Sequence, residues 1–579
     1  MNDGYSAYLQ LDAALERLHG KRAEWAGMAL AQRIALLAAV RERIAPVAAE
    51  WIGLSNQAKG LAPDSTLQGE EWTSGPWALL ASCDQLLASL RSIDSEGTPP
   101  VSRLPRRTLP NGQLAVQVFP HSVFDRLLLS GVRSEVWMQP GVHAANLLWN
   151  VAAHYRAGAK ETPGALGLVL GAGNISSIAP LDALYKLYAQ KEVCLVKMNP
   201  VNDYLLPVFE HIFEPLAEAG YIAFVPGDGA AGAYLCNHAL VENIHITGSQ
   251  ETHDLIVFGS GAEGQARRVT GAPLNPRPIS SELGAVCPTI VVPGPWSRAD
   301  IEYQAAHIAT QKLHNSGFNC VACQVLVLPQ DWEHTPALRL AVRDALAQAP
   351  DRKPYYPGAA ARQEGMAREQ GGAEQLELPG AQARREVIAL PAPDHPAQAR
   401  QREVFAPTLC EQLLPGTAAQ AEEYLRRAIA YANAELHGTL GANIIIHPAT
   451  RRALGERWDV LLQELRYGTI AVNAWTGLGY LLPANPWGAF PGHSLGDVQS
   501  GIGTVHNTFL FDRPQRAVVE APFRPFPRSL LGGSMSLLPK PPWFVNNRRA
   551  HHIGRRLFAF QHRPSWWKLP GIFLDALRG

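Results

Sequence analysis

Two cysteines three residues apart, Cys320 and Cys323, stand in the stretch NSGFNCVACQ. Such a pair can ligate a metal, cycle between thiol and disulfide, supply one nucleophile beside a bystander, or fill core space. A zinc reading lacks a second CxxC and a histidine at ligand spacing. A thioredoxin-like reading conflicts with the order of elements, since HNSGFN closes a helical segment and CQVLVLP reads as a strand. Cys320 is therefore expected at a helix-to-strand junction, where turn N–H groups can favour a thiolate. On spacing alone, packing is the commoner explanation.

Other residues could share in chemistry. Glu282 precedes a buried run in PISSELGAVCPTIVVPG, and Glu403 and Phe405 flank a loop with Pro407 in REVFAPTLC. Asn174 follows a strand in GAGNISS, Lys197 closes the strand of VCLVKMNP, and Thr247, Gly248 and Ser249 form a strand-to-helix turn in HITGSQE. Singly, each has an ordinary explanation as surface acid, cap or turn.

The elements that must position these residues are legible as an alternation. From about 165, ALGLVLG, EVCLVKMNP, YIAFVPGDG and ENIHITGS read as strands, with helical patterns between them. This order predicts a parallel sheet with helices on both faces, binding ligands beyond the carboxyl ends of its strands. A second α/β stretch spans about 286–475, with strands PTIVVPG, CQVLVLP, LGANIIIHP and GTIAVNAW. GQLAVQVFP and RSEVWMQPGV are short β runs, and 352–402 reads as variable surface with little core. Near the N-terminus, 29–51 is an amphipathic helix expected to break or kink at Pro46.

Bulk properties narrow the class. A chain of 579 residues with 47% hydrophobic content builds two or three folded units. Formal charge is zero, so nothing global points to nucleic acid. Seven scattered cysteines suit a reduced, cytoplasmic protein, and the N-terminus has neither the basic start nor the apolar centre of a signal peptide. No apolar run reaches the roughly 20 residues of a membrane span. From Arg513 onward, however, there are 12 Lys and Arg against 2 Asp and Glu, mixed with Trp543, Phe544, Phe558, Phe560, Trp566 and Trp567. That tail is expected either to pack on the acidic body or to touch a membrane surface.

Taken in order, GAGN (171–174), LVKMNP (195–200), ITGS (246–249), ELGA (282–285), GFNC (317–320), EVFAP (403–407) and FPGHSLGDVQSGIG (490–503) resemble the landmarks of the aldehyde dehydrogenase superfamily across about 30–515. The resemblance implies an α/β fold: a Rossmann-type dinucleotide-binding domain (1–111 and 151–282), an α/β catalytic domain (283–480) and a β-arm for oligomerisation (112–150 and 481–515). Residues 516–579 are the added tail. It further implies NAD or NADP as cofactor, an aldehyde substrate and a homodimer or homotetramer, with no metal.

The resemblance gives Cys320 the role of nucleophile, Asn174 that of oxyanion donor and Glu282 that of general base. Cofactor contacts fall to Lys197, Thr247, Gly248, Ser249, Glu403 and Phe405, and Cys323 keeps its packing role. The expected reaction is oxidation of a hydrophobic aldehyde to an acid. An acyl-CoA or acyl-thioester reductase is the alternative, and a catalytically weak scaffold the second. The pattern departs from the family at Asn199, His253, Ala285 and Phe318, and its last block lacks the usual Lys. Phe318 is expected to make the approach to Cys320 apolar.

Overall fold

The computed structural model describes residues 2–156, 163–369, 374–377, 385–389 and 398–579, and the side chains of all of these except 2–7, 374–377, 385–389 and 398. Two sheets organise them. The smaller has the order Gly501–Ile502, Ile279–Leu283, Asn243–Gly248, Leu166–Leu170, Val193–Lys197, Ile222–Val225. It is parallel except for the short edge pairing of Gly501–Ile502. Its central strands are apolar at nearly every position because helices cover both faces. Leu15, Leu18 and Trp25 of the first helix, Asn2–Gly27, and Leu37, Ile44 and Trp51 of the second, Leu30–Lys59, share this core with Leu168, Val196 and Phe209. The second helix runs unbroken through Pro46, contrary to the expected break.

The larger sheet begins with an antiparallel meander, Arg106–Thr108, Leu114–Phe119 and Arg133–Met138. It continues through Pro514–Glu520, Thr469–Val472, Gly441–Ile445, Cys287–Val291, Cys323–Pro329, Thr408–Leu414, Arg385–Ala389 and Glu374–Glu377. The block from Pro514–Glu520 to Arg385–Ala389 is parallel. Within the chain, the meander's strand Arg133–Met138 pairs with Pro514–Glu520, which pairs with Thr469–Val472.

Three strands beside the site escape the sequence pattern. Ile279–Leu283 carries Ser280, Ser281 and Glu282, too polar to read as a buried strand. Thr408–Leu414 follows a loop signal, and Pro514–Glu520 lies where the chain turns rich in Pro and Arg. The expectation that 352–402 contributes little core also fails where it is described: Arg352, Ala359 and Met366 are buried. Residues 370–373, 378–384 and 390–397 of that stretch lie outside the described residues.

The tail packs on the body. Helix Ala550–His562 crosses the short helix Gln68–Trp72 so closely that a Cβ on Gly69 would lie 2.5 Å from the Ala550 carbonyl. Trp72 meets Phe558 with ring centres 5.4 Å apart. Arg524 and Arg528 pair with Asp300 of the body, whereas Arg549 and Arg556 pair with Asp575 of the tail itself.

A buried polar network fixes the turn before Cys320. Asn315, Ser316 and Gly317 all take positive φ, 54°, 56° and 80°, a conformation that for the two non-glycines costs on the order of 1–3 kcal/mol each. Around them, Glu70 accepts from the Asn315 N–H at 2.8 Å and from both Arg352 terminal nitrogens at 2.7 and 3.0 Å. Lys59 bridges Glu71 (2.6 Å) and the Asn315 side-chain oxygen Oδ1 (2.9 Å). The Asn315 amide donates to the Asn174 and Phe318 carbonyls. Burial works to raise the Glu70 pKa, but Arg352, His314 and the Asn315 N–H outweigh it and hold it at about 2. Removing one partner strands a buried charge, so Arg352→Met should cost about 3–5 kcal/mol, while Glu70→Leu with Arg352→Met should recover most of it. Urea unfolding of both variants checks this; equal destabilisation would show that the pairing does not hold the turn.

Candidate active site

Cys320 lies in the turn between helix Arg298–Leu313, with its 3-10 extension His314–Gly317, and strand Cys323–Pro329. The junction is where the sequence pattern predicts it. Of the seven cysteines, all unpaired, Cys320 alone is not fully buried. Cys323 begins the strand with no exposure, in keeping with packing. Among the described residues, no group of three or more His, Cys, Asp or Glu is arranged to hold a metal ion.

Facing the thiol is Glu282. Its strand delivers the carboxylate into a small chamber of about 30 Å³ that Cys320 and Asn174 also line, enough space for a water molecule. Trp487 Nε1 donates to Glu282 Oε1 at 3.0 Å, and the Cys320 thiol lies close enough to bear on the same carboxylate. Burial pushes Glu282 up to about 7 despite these two neighbours. Burial, then the neighbouring Glu282 and Glu403, pushes the Cys320 thiol well above its ordinary range. The resting pair is thus a protonated thiol beside a carboxylate poised near neutrality, able to take its proton. The Asn174 amide donates to the Phe318 carbonyl at 2.9 Å, which fixes its plane beside Cys320.

Behind this pair sits a cluster the sequence reading missed. Asp182 is fully buried in helix Ile178–Leu184. Thr247 Oγ1 donates to Asp182 Oδ2 at 2.9 Å, His506 Nε2 lies 3.1 Å from Oδ1, and His245 Nε2 lies 3.5 Å from Oδ2. Burial would raise Asp182, but the two histidines outweigh it and hold it well below the usual carboxylate range. A lone acid inside the apolar run IAPLDALYKLY was the available signal. Trp487, His506 and Tyr480 carried none.

On the other side of Cys320 opens a groove of about 640 Å³, beyond the carboxyl ends of the smaller sheet's strands. Thr247, Gly248, Ser249, Glu403 and Phe405 all line it, as do Asn174, Glu282 and Cys320. Ser249 caps helix Gln250–Phe258, accepting from the Thr252 N–H at 3.2 Å. Glu403 lies flat on Gly284, where a Cβ would fall 1.9 Å from its oxygen. Burial and the nearby Glu282 push Glu403 up to about 8. Asn199 reaches the groove, but Lys197, two residues earlier at the strand's end, is buried and does not line it. His253 likewise turns inward, against Asp254.

Phe318 overturns one expectation. Its side chain is fully buried against Tyr355, Tyr356 and Phe405, and it lines neither the chamber nor the groove. It backs the groove wall instead of shaping the approach to Cys320. The chamber's apolar character comes from Ile175, Ile178, Val321, Trp475, Leu481 and Val505.

The model of the aldehyde dehydrogenase family matches residues 195–425. No curated protein matches the chain in sequence. Among solved structures, γ-glutamyl-γ-aminobutyraldehyde dehydrogenase from Burkholderia cenocepacia is 17% identical, with 88% of this chain and 87% of that chain covered at a TM-score of 0.56. NADP-dependent glyceraldehyde-3-phosphate dehydrogenase from Bacillus halodurans, complexed with NADP, is also 17% identical, with 88% and 91% covered at 0.56. Aldehyde dehydrogenase 21 from Physcomitrella patens, in complex with succinate, is 14% identical, with 88% and 89% covered at 0.54. At these identities the likeness shows the fold, and the matched segment holds the turn of Thr247–Ser249, Glu282, Cys320 and Glu403 within one family pattern. Residues 195–425 thus match the aldehyde dehydrogenase family, and the chain as a whole shares the fold of these structures.

Proposed function

We propose that this chain oxidises an apolar aldehyde to the carboxylic acid with NAD or NADP, through a thiohemiacetal and then a thioester on Cys320. The observation that carries the reading is the Cys320 thiol beside the buried Glu282 carboxylate, the two lining both a small apolar chamber and a large groove. The groove suits a dinucleotide. It lies at the carboxyl edge of a parallel sheet, and the N-terminus of helix Gln250–Phe258 opens beside Gly248 and Ser249, a favourable place for phosphate. Glu403 and Phe405 would hold the nicotinamide end, and Asn199 the far end. When bound, the nicotinamide supplies a hydride acceptor.

The protein's own groups divide the work. Glu282 takes the thiol proton as Cys320 attacks the carbonyl carbon. The Cys320 backbone N–H and the Asn174 amide stabilise the oxygen as it becomes anionic. The second step needs water activated next to the thioester; Glu282, once it has passed the thiol proton on to solvent, faces that position as a carboxylate from within the chamber. A retained carboxylate there supports hydrolysis over transfer to CoA. Cys320→Ser should abolish oxidation and Glu282→Gln should slow turnover by about 10²–10⁴, followed as absorbance of the reduced nicotinamide with aldehydes and both cofactors. A signal that requires CoA would instead favour the reductase reading, and silence with every aldehyde and both cofactors would remove the enzyme reading.

The pH profile follows from Glu282. Below its pKa the carboxyl is protonated and accepts no proton, so kcat should fall about tenfold per pH unit as pH drops below about 7. Cys320, Glu403 and Asp182 face the group, so the limb belongs to the coupled set. Glu282→Gln should flatten it; an unchanged limb in that variant would assign the titration elsewhere.

A homodimer or homotetramer in the cytoplasm remains the proposal from family resemblance, although the meander completes the chain's own sheet. No helix among the described residues is long and apolar enough to cross a membrane. Peripheral lipid contact is supported at one place only, the tail's end, where Trp566 and Trp567 are 60% and 92% exposed beside Arg563 and Lys568. Co-sedimentation with anionic vesicles should fall on Trp566→Ala with Trp567→Ala; equal sedimentation of the variant would refute that contact.

A further inference from the structure

The chamber at Cys320 has room for a carbonyl group and little more. Its wall at Leu481 is one residue thick. On the far side lies a second cavity of about 380 Å³, and Leu481 lines both. The partition is built from two segments. In Thr476–Leu481, Gly477 and Tyr480 face the chamber, and Leu478 faces the second cavity. Near residue 74, Ser74 lines the chamber while Thr73 and Trp77 line the cavity.

The second cavity's outer wall is the tail. Trp543, Leu557, Phe560, Ile572 and Phe573 close it against Leu478 and Leu482. Several polar side chains in the wall are committed to partners. Gln561 donates to Asp84 at 2.8 Å, Asp84 also accepts from Arg41, and Lys540 donates to the Asn546 carbonyl. Asp125 accepts from the His121 and Ser122 N–H groups. Such a cavity, within the size range of ligand sites and lined mainly by apolar side chains, suits hydrocarbon.

We propose that this cavity is the binding site for the alkyl chain of the substrate, entered past the Leu481 side chain, and that the tail exists to wall it. The substrate class is then an unbranched aldehyde with a chain long enough to pass Leu481. This rests on the reading of Cys320 as the aldehyde's nucleophile. Adjacency to the Cys320 chamber across the single side chain of Leu481 commits the cavity to the substrate's own chain and not to a separate lipid. The tail's closeness to the body at Gly69 keeps the wall in place.

The test has a binding arm and a kinetic arm, both on the full chain. In the Cys320→Ser protein, dodecan-1-ol titrated calorimetrically should bind saturably, and Leu557→Trp or Phe573→Trp should weaken it at least about tenfold by filling the space of several methylenes. In the active enzyme, the same substitutions should lower kcat/KM for dodecanal at least about tenfold and leave propanal nearly unchanged. Two variants on different helices are used so that one misfolded protein does not decide the matter. Absence of dodecanol binding, indifference of that binding to both substitutions, or an equal fall for both aldehydes overturns the proposal. Dodecanol binding that the substitutions abolish, in a protein that oxidises no aldehyde, supports the alkyl site while defeating the catalytic reading.

Discussion

The turn before Cys320 is held in a strained backbone conformation, and the rest of the site depends on that. Two successive non-glycine residues, Asn315 and Ser316, take left-handed backbone angles just before Cys320. Asparagine tolerates such angles better than most residues, but Ser316 does not. What holds the pair is the buried set of Glu70, Arg352, Lys59 and Glu71, which converges on Asn315 from two distant parts of the chain. Asn315 in turn bonds the Asn174 carbonyl, so the segments bearing Cys320 and Asn174 are set by one side chain.

The charges around the thiol are distributed with the same economy. Glu282 and Glu403 are both raised by burial, and the nearby Glu282 raises Glu403 further. Both oppose a thiolate, which makes proton transfer to Glu282 the natural route to a nucleophile. Asp182, only a helix away, is kept ionised because His245 and His506 flank it. Three buried carboxylates thus occupy different protonation regimes through their partners, the pattern by which acid and base roles are separated at one pH.

Much of this was legible in the sequence, by two different routes. The strands Leu166–Leu170, Val193–Lys197 and Cys323–Pro329 were visible as uninterrupted apolar runs between turns. Cys320, Glu282 and Glu403 became visible only through their order among other landmarks. Ile279–Leu283 was hidden because a strand that carries a functional acid loses the apolar pattern that marks a strand. Glu70 and Arg352 are 282 positions apart, and no periodicity links such a pair. Phe318 was identified correctly as an unusual neighbour of Cys320, but sequence does not say which way a side chain points, and it points away from the chamber.

The central claim is that Cys320 carries the acyl group and Glu282 releases it. Acid-quenched Glu282→Gln enzyme, mixed with an aldehyde and cofactor and examined by peptide mass spectrometry, addresses it directly. The account predicts the acyl mass on the peptide containing Cys320, in an amount approaching one per active site. An acyl group on a different residue, or reduced cofactor accumulating with no acyl adduct at Cys320, would contradict it.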